Sequence, residues 1–297
     1  MKREGGGLQV DAPFQAAAWA IASAVAFTLG AAAAKHLSVH LPPAELAFIR
    51  AAVAALALAG LWRWALRLGE LRDLRWHVVR LVLGVVAGYC VMHALSLAPI
   101  ALVSLVYFSR VLLIPVVAQI MLGERAGAAE WAGALLGAVG VVVTTGGLPS
   151  ADSLLGVTLA AVAAVASAGS QTAVRRLTAS NDPALIVLVF AAGSTLALAP
   201  AAGALWVPPA LMDWPVLLLV GVFAVVAQYT AAQAFARAPA AVVGPFDFLT
   251  VPASAVVGIA VFGEWPGASM AYGGALIVAG AAVVTWGDTV RRRQGVA

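Results

Sequence analysis

The stretch APAAVVGPFDFLTVPASAVVGIAVFGEWPGASMAY, residues 238–272, decides the fold that this sequence predicts. Its apolar run is longer than the roughly 20 residues that a helix needs to cross a bilayer. Within that run lies a carboxylate, Asp247. A charge at such a position is costly in hydrocarbon, so it indicates a buried partner or a function.

A similar stretch occurs earlier in the chain. The sequence matches itself at a constant offset of 140 residues (264 − 124 = 140), which continues without gaps through most of its length. We therefore predict an internal duplication, with repeats at residues 13–148 and 154–287 and tails at 1–12 and 288–297. Residues shared by the quoted stretch and its earlier copy include Ala98, Pro99, Phe108, Gly123, Glu124 and Gly127, which recur as Ala238, Pro239, Phe248, Gly263, Glu264 and Gly267.

The composition is that of an integral membrane protein. Of 297 residues, 63% are hydrophobic and 10% are charged, whereas about 25% of residues are charged in an ordinary soluble domain. Little sequence remains for a soluble domain between the apolar runs. We place ten transmembrane helices near residues 13–34, 41–62, 77–97, 99–122, 128–148, 154–174, 184–206, 214–235, 238–262 and 268–287.

Each repeat holds five of these spans, and an odd number makes the second repeat enter the bilayer from the opposite side. The predicted fold class is therefore an all-α membrane protein, with ten transmembrane helices as two inverted five-helix repeats. Such a pair has two states of similar energy, each open to one side, and a site near the midplane where the halves meet. This arrangement is typical of a carrier.

Basic residues predict the orientation. If the amino terminus is cytoplasmic, that side holds fourteen Lys and Arg residues, Arg80 among them, and the opposite side holds only Lys35. Positive residues favour the cytoplasmic side, so we expect a multi-pass protein of the cell (inner) membrane with both termini cytoplasmic. The net charge of +4 reflects these arginines rather than a nucleic-acid surface.

Three motifs carry a resemblance to a known family. PPAELAFIR (42–50), LGER (122–125) and APAAVVGPFDF (238–248), with FGEWPG (262–267) after it, resemble the EamA-type, ten-helix branch of the drug/metabolite transporter superfamily. The resemblance covers nearly the whole chain. It implies a central cavity lined by helices 1–4 and 6–9, with helices 5 and 10 at the periphery, and by analogy it favours efflux from the cytoplasm.

The candidate substrate site lies on spans 4 and 9. Asp247 and Thr250 share one stripe of span 9, and their equivalents on span 4 are Tyr107 and Arg110. In the functional interpretation, Arg110 binds a carboxylate or another anionic group, and Asp247 binds an amine or carries a coupled proton. In the alternative, the two charges form a structural ion pair, and both interpretations can hold in different states.

Further candidates lie on the neighbouring spans. Arg50 lies inside span 2, where substrate binding, a salt bridge and a contact with helix-end carbonyls remain open. Pairs of polar residues at i, i+4 on spans 3 and 8 suit either a cavity wall or ordinary packing, and Gln171 shares a face of span 6 with Ser167. The pairs are Tyr89 with His93 and Tyr229 with Gln233.

Other functional classes lack their motifs. The sequence has no phosphate-binding loop of the ATPase type, and its four histidines lack the spacing of a helical metal site with a carboxylate. A membrane-embedded enzyme and a channel remain the alternative functions, and neither a catalytic cluster nor a filter motif supports them. We expect no cofactor, metal or nucleic acid, and one unpaired thiol, Cys90.

The sequence therefore predicts a secondary active transporter for a small polar metabolite, resembling an amino acid or an organic anion. Its partners are the substrate, the lipid bilayer and a possible coupled proton or ion. The protein is expected to be a monomer or a homodimer. Glu124 and Glu264, which end spans 4 and 9, are expected to pair with nearby basic groups or water rather than to bind substrate.

Overall fold

The computed structural model describes residues 12–59, 69, 71–123, 127–145, 151–178, 180–237 and 249–293. These residues form eleven α-helices, one 3₁₀ turn at Leu211–Asp213 and no strand. The helices are α1 (Ala12–Leu37), α2 (Pro43–Ala59), α3 (Leu74–Leu97), α4 (Ile100–Phe108), α5 (Arg110–Leu122), α6 (Ala128–Thr145), α7 (Ala151–Leu177), α8 (Pro183–Ala204), α9 (Trp214–Arg237), α10 (Thr250–Phe262) and α11 (Ala268–Arg293).

Length and hydropathy identify membrane spans among these helices. Within the described residues, six spans of 21 to 27 residues are long and apolar enough to cross a bilayer, and three shorter apolar helices accompany them. Large apolar side chains project outward from these helices, as contact with lipid requires. Examples exposed over 41–64% of their surface are Val25, Leu29, Val82, Leu135, Val222 and Val278. The chain is an all-α membrane protein.

The two repeats have the same helix pattern. The offset of 140 residues places α3 (Leu74–Leu97) on α9 (Trp214–Arg237) with both ends in register. It also places α5 on α10, and both end at a glycine with left-handed backbone, Gly123 at φ 72° and Gly263 at φ 67°. Glycine adopts this conformation without the steric cost of a side chain. The duplication seen in the sequence is therefore a duplication of local structure.

The helices of one repeat pack mainly against helices of the other. The contacts join α1 to α9, α3 to α7, α2 to α8, α4 to α10 and α6 to α11. Because α1 corresponds to α7 and α9 to α3, exchanging the repeats converts the first contact into the second. A Ser104–Ser254 hydrogen bond of 2.8 Å joins the central pair, α4 and α10. The halves are interleaved around one pseudo-twofold axis.

Glycines in α6 and α11 show that the repeats are inverted. A Cβ atom on Gly133 would lie 2.8 Å from the carbonyl oxygen of Gly280, and one on Gly140 would lie 2.7 Å from that of Gly273. Gly273 and Gly280 are the repeat equivalents of Gly133 and Gly140, so the contact is reciprocal. The two helices therefore run antiparallel across the axis, at a distance that only glycine permits.

The predicted fourth span is confirmed as one membrane span, Ile100–Leu122, with a tight turn that divides α4 from α5. The turn is at Ser109, whose N–H donates to the Val106 carbonyl at 3.2 Å and whose hydroxyl donates to the same carbonyl at 2.6 Å. Pro115, which lies inside α5, does not end that helix. The division makes Arg110 the first residue of α5, and its equivalent, Thr250, is the first residue of α10.

Candidate functional site

A cavity of about 110 Å³ lies between the two repeats. Its described lining comes from α1, α2, α3, α4, α5, α7, α8, α9 and α10, and α6 and α11 contribute none of it. In terms of predicted spans, these helices are spans 1–4 and 6–9. The resemblance implied the same arrangement, with the fifth and tenth spans outside.

Small residues on α3 open the cavity to larger side chains. Gly84 and Gly88 are four residues apart and so lie on one face of that helix. The ring of Phe190 packs against Gly84, and Nη2 of Arg50 lies 2.9 Å from the position that a Cβ on Gly88 would occupy. Any larger side chain at Gly84 or Gly88 would displace Phe190 or Arg50 from the cavity.

Arg110 enters the cavity from the start of α5. Only 8% of its surface is exposed, and its guanidinium carbon lies 4.5 Å from the centre of the Tyr107 ring and 4.3 Å from that of Phe108. Tyr107 stacks on Phe27, with ring centres 5.5 Å apart, and its hydroxyl lies 3.2 Å from Oγ of Ser167. Aromatic faces attract a guanidinium electrostatically, so they hold this charge in a desolvated position.

Thr250, Arg50 and Gln171 also line the cavity. Thr250 is fully buried, and Gln171 lies one turn of α7 beyond Ser167, as the sequence predicted from their shared face. Five predicted site residues thus lie around the same space, namely Arg50, Tyr107, Arg110, Gln171 and Thr250. Asp247 lies outside the described residues.

The structure does not bring Tyr89, His93, Tyr229 and Gln233 to the cavity lining. On α3 the lining face includes Gly84 and Gly88, and Tyr89 is one residue further, about 100° around the helix. Tyr89 and His93 instead pack edge to face, with ring centres 6.0 Å apart. Tyr229 is 40% exposed and packs against Trp19. Because the repeats share this geometry, both pairs lie on the same off-cavity face.

Arg80 is a cavity residue that the sequence analysis assigned to the positive cytoplasmic side. Only 4% of its surface is exposed, and its guanidinium carbon lies 4.6 Å from the centre of the Phe190 ring. Its Nη2 is 3.5 Å from Oε1 of Gln228, and Ser170 donates to its backbone carbonyl at 3.2 Å. The signal that could have found it is spacing, since Arg80, Gly84 and Gly88 recur every four residues on one face.

An ion pair joins four helix ends at one end of the cavity. Nζ of Lys35 lies 2.9 Å from Oε1 of Glu264 and also donates to the carbonyls of Leu95 and Ala98 at 3.1 and 2.7 Å. Oε2 of Glu264 accepts from the N–H of Ile100 at 2.9 Å. This confirms that Glu264 pairs with a nearby basic group. The contacts tie together the ends of α1, α3, α4 and α10.

Comparison with known proteins agrees with the two-repeat architecture. The model of the EamA-like transporter family matches residues 15–146 and 154–286. The chain is 28% identical to a riboflavin transporter of Vibrio cholerae, over 95% of this chain and 96% of that protein. It is 27% identical to a pseudopaline exporter of Pseudomonas aeruginosa, over 87% and 92% of the two chains. A solved crystal structure with 25% identity superposes with a TM-score of 0.62, over 92% of this chain and 98% of that one.

Proposed function

The chain belongs to the EamA-like transporter family, whose relatives here are membrane transporters rather than enzymes, and we propose that it is a secondary active transporter of a small polar metabolite. The substrate resembles an amino acid or an organic anion. The protein moves it by alternating access across the cell (inner) membrane, with both termini cytoplasmic. Efflux is the proposed direction, in keeping with the exporter among its relatives.

The observation that carries this proposal is the buried guanidinium of Arg110 in a cavity between inverted repeats. Arg110 begins α5 about 15 Å along the span from Ile100, which is half the thickness of the hydrocarbon core. A charge at this depth is favourable when it binds an opposite charge. In this proposal Arg110 binds the anionic group of the substrate, and Tyr107, Thr250 and Gln171 contact its remainder.

The ion pair of Lys35 with Glu264 supports the alternating-access part of the proposal. It lies beyond Ala31, a cavity residue one turn earlier on α1. An ion pair whose hydrogen bonds connect four helix ends restricts access to the cavity from the Lys35 side. Inverted repeats provide a second state in which the opposite side is closed instead. Asp247 remains the proposed group for a substrate amine or a coupled proton.

Transport by the purified full-length chain in liposomes tests the proposal. We expect saturable flux of a labelled amino acid or organic acid that responds to an imposed proton or substrate gradient. Arg110→Ala should lower the flux at least about tenfold, because it leaves the substrate anion without its charged partner. Arg176→Ala, at an exposed position near the end of α7, is the matched control and should transport normally.

Three results would overturn the proposal. One is flux that rises linearly with concentration at channel rates, and another is chemical alteration of the substrate. The third is normal transport by a monodisperse Arg110→Ala protein, which would assign this arginine to the scaffold.

A further inference from the structure

The described lining of the cavity contains three arginines and no acidic residue. Arg50, Arg80 and Arg110 come from three different spans of the first repeat. Asp247, whose position lies outside the described residues, carries one negative charge and so balances at most one guanidinium. At least two of the three guanidinium charges are therefore balanced neither by the described lining nor by Asp247.

Arg80 lies on one face of α3, and Arg50 of α2 lies against the same face. Arg50 contacts the Gly88 level of that face, and Arg80 lies over Phe190, whose ring packs at the Gly84 level. These two levels are one helical turn apart, about 6 Å. The two guanidinium groups thus lie along a short stretch of cavity wall. The neighbours of Arg80 are Phe190 and Gln228, which differ from the aromatic rings that Arg110 contacts.

The surroundings of Arg80 suit a ligand better than a structural ion pair. Among the described residues, its guanidinium contacts the Gln228 amide at a long 3.5 Å and the ring of Phe190, both of which are neutral. Its buried Nε has no hydrogen-bond partner in the described part of the chain. A guanidinium presents five N–H donors, and leaving buried charged donors unsatisfied is costly. These donors point to an anionic acceptor that enters with the substrate.

The second repeat shows which residues the same helix positions hold when they carry no charge. The repeat equivalents of Arg50 and Arg80 are Phe190 and Val220, which line the same cavity and are apolar. The helix scaffold is therefore compatible with neutral residues at both positions. Charge at Arg50 and Arg80 is a property of the first repeat alone and is not required for helix packing.

We infer that Arg50 and Arg80 form a second anion-binding subsite, apart from Arg110, and that the transported metabolite carries two separate anionic groups, as a dicarboxylate does. This inference rests on the proposed transport function and names its substrate class. One anionic group binds Arg110, and the other binds between Arg50 and Arg80, with Gln228 and Ser170 as neutral hydrogen-bonding neighbours. A phosphate ester with a carboxylate satisfies the same two subsites.

Competition in liposomes containing the wild-type chain tests this inference without any variant. The probes are straight-chain dicarboxylates of four to seven carbons, their monoamides, the matched monocarboxylates and phosphorylated carboxylic acids. We expect dicarboxylates or phosphorylated acids to inhibit the flux of the labelled organic acid at concentrations at least about tenfold lower than those at which the monoamides inhibit it. The reason is that each monoamide loses one charged contact. The comparison between the two acid classes identifies which anion the second subsite binds.

Two variants locate the second subsite. Arg50→Gln and Arg80→Gln should each weaken inhibition by the dianion about tenfold or more and change inhibition by monocarboxylates less than about threefold. Arg75→Gln, which removes an exposed positive charge near the start of α3, is the control and should behave as wild type.

Saturable flux with equal inhibition by dicarboxylates and their monoamides would overturn the inference and leave the proposed function intact. Dianion selectivity that survives both Arg50→Gln and Arg80→Gln would also overturn it. Absence of saturable flux for every probe and for amino acids would instead contradict the transport function itself.

Discussion

The two repeats line one cavity with equivalent helices, but the side chains at equivalent lining positions differ in charge. Each repeat contributes equivalent helices and equivalent left-handed glycines, yet all charged residues of the described lining lie in the first repeat, whereas Asp247 of the second repeat lies outside the described residues. Duplication thus explains the shape of the cavity, and later divergence of single side chains explains its electrostatics. The three equivalent pairs that line it are Arg50 and Phe190, Arg80 and Val220, and Arg110 and Thr250.

The largest expected effect on stability comes from replacing the glycines at which α6 and α11 contact each other. Gly133→Leu and its equivalent Gly273→Leu should each destabilise the protein by about 1–3 kcal/mol, because each places a side chain against the facing backbone. The measurement is the midpoint of thermal unfolding in detergent. If the repeats are equivalent here, the two variants lose similar stability.

Gly203→Leu is the matched control for that prediction. No atom lies within 4 Å of a Cβ placed at Gly203, so its unfolding midpoint should stay near that of the wild type. Equal stability of all three variants would contradict the close antiparallel contact of α6 and α11.

A smaller effect is expected at the ion pair that joins the repeats. Lys35→Met removes the cation that binds Glu264 and two carbonyls, and should lower the free energy of unfolding by about 1 kcal/mol. It should also speed labelling of a cavity cysteine, Met92→Cys in a Cys90→Ala background, by an impermeant maleimide added from the Lys35 side. His36→Met, an exposed neighbour on α1, should leave both measurements unchanged. Unaltered labelling in Lys35→Met would show that this ion pair does not restrict access.

The smallest effect is expected at the equivalent tyrosines outside the cavity. Tyr89→Phe and Tyr229→Phe should each change transport less than about twofold, because neither hydroxyl reaches the cavity lining. Tyr107→Phe is the comparison inside the cavity. It loses the hydroxyl contact with Ser167 and should lower transport about fivefold. A large loss in either outer variant would return that tyrosine to the site.

The sequence predicted most of the fold because duplication leaves a pattern that side-chain divergence does not erase. The constant offset of 140 residues predicted the two repeats, and the odd number of spans in each repeat predicted that the repeats are inverted. The fourth span was predicted correctly, and only the tight turn at Ser109 inside it was not, because a serine turn has no distinctive local signature.

Positions in the cavity lining were predictable where repeat equivalence and buried charge agreed, as at Arg110 and Thr250; their role in binding substrate stays a prediction. The position was not predictable at Tyr89 and His93, because a spacing of four residues shows that two side chains share a face and does not show which face. Arg80 was missed for a related reason. A basic residue six positions from the start of a helix resembles an interfacial anchor until the neighbouring helices show that it is enclosed.

The reciprocal contact of Gly133 and Gly280 has a consequence for motion. The pseudo-twofold axis passes between this contact and the contact of Gly140 with Gly273, and exchanging the two halves converts one contact into the other. In the proposed alternating-access cycle, the contact between α6 and α11 can therefore stay fixed while the cavity-forming helices rotate about it. The side chains in that contact keep the same neighbours in both states.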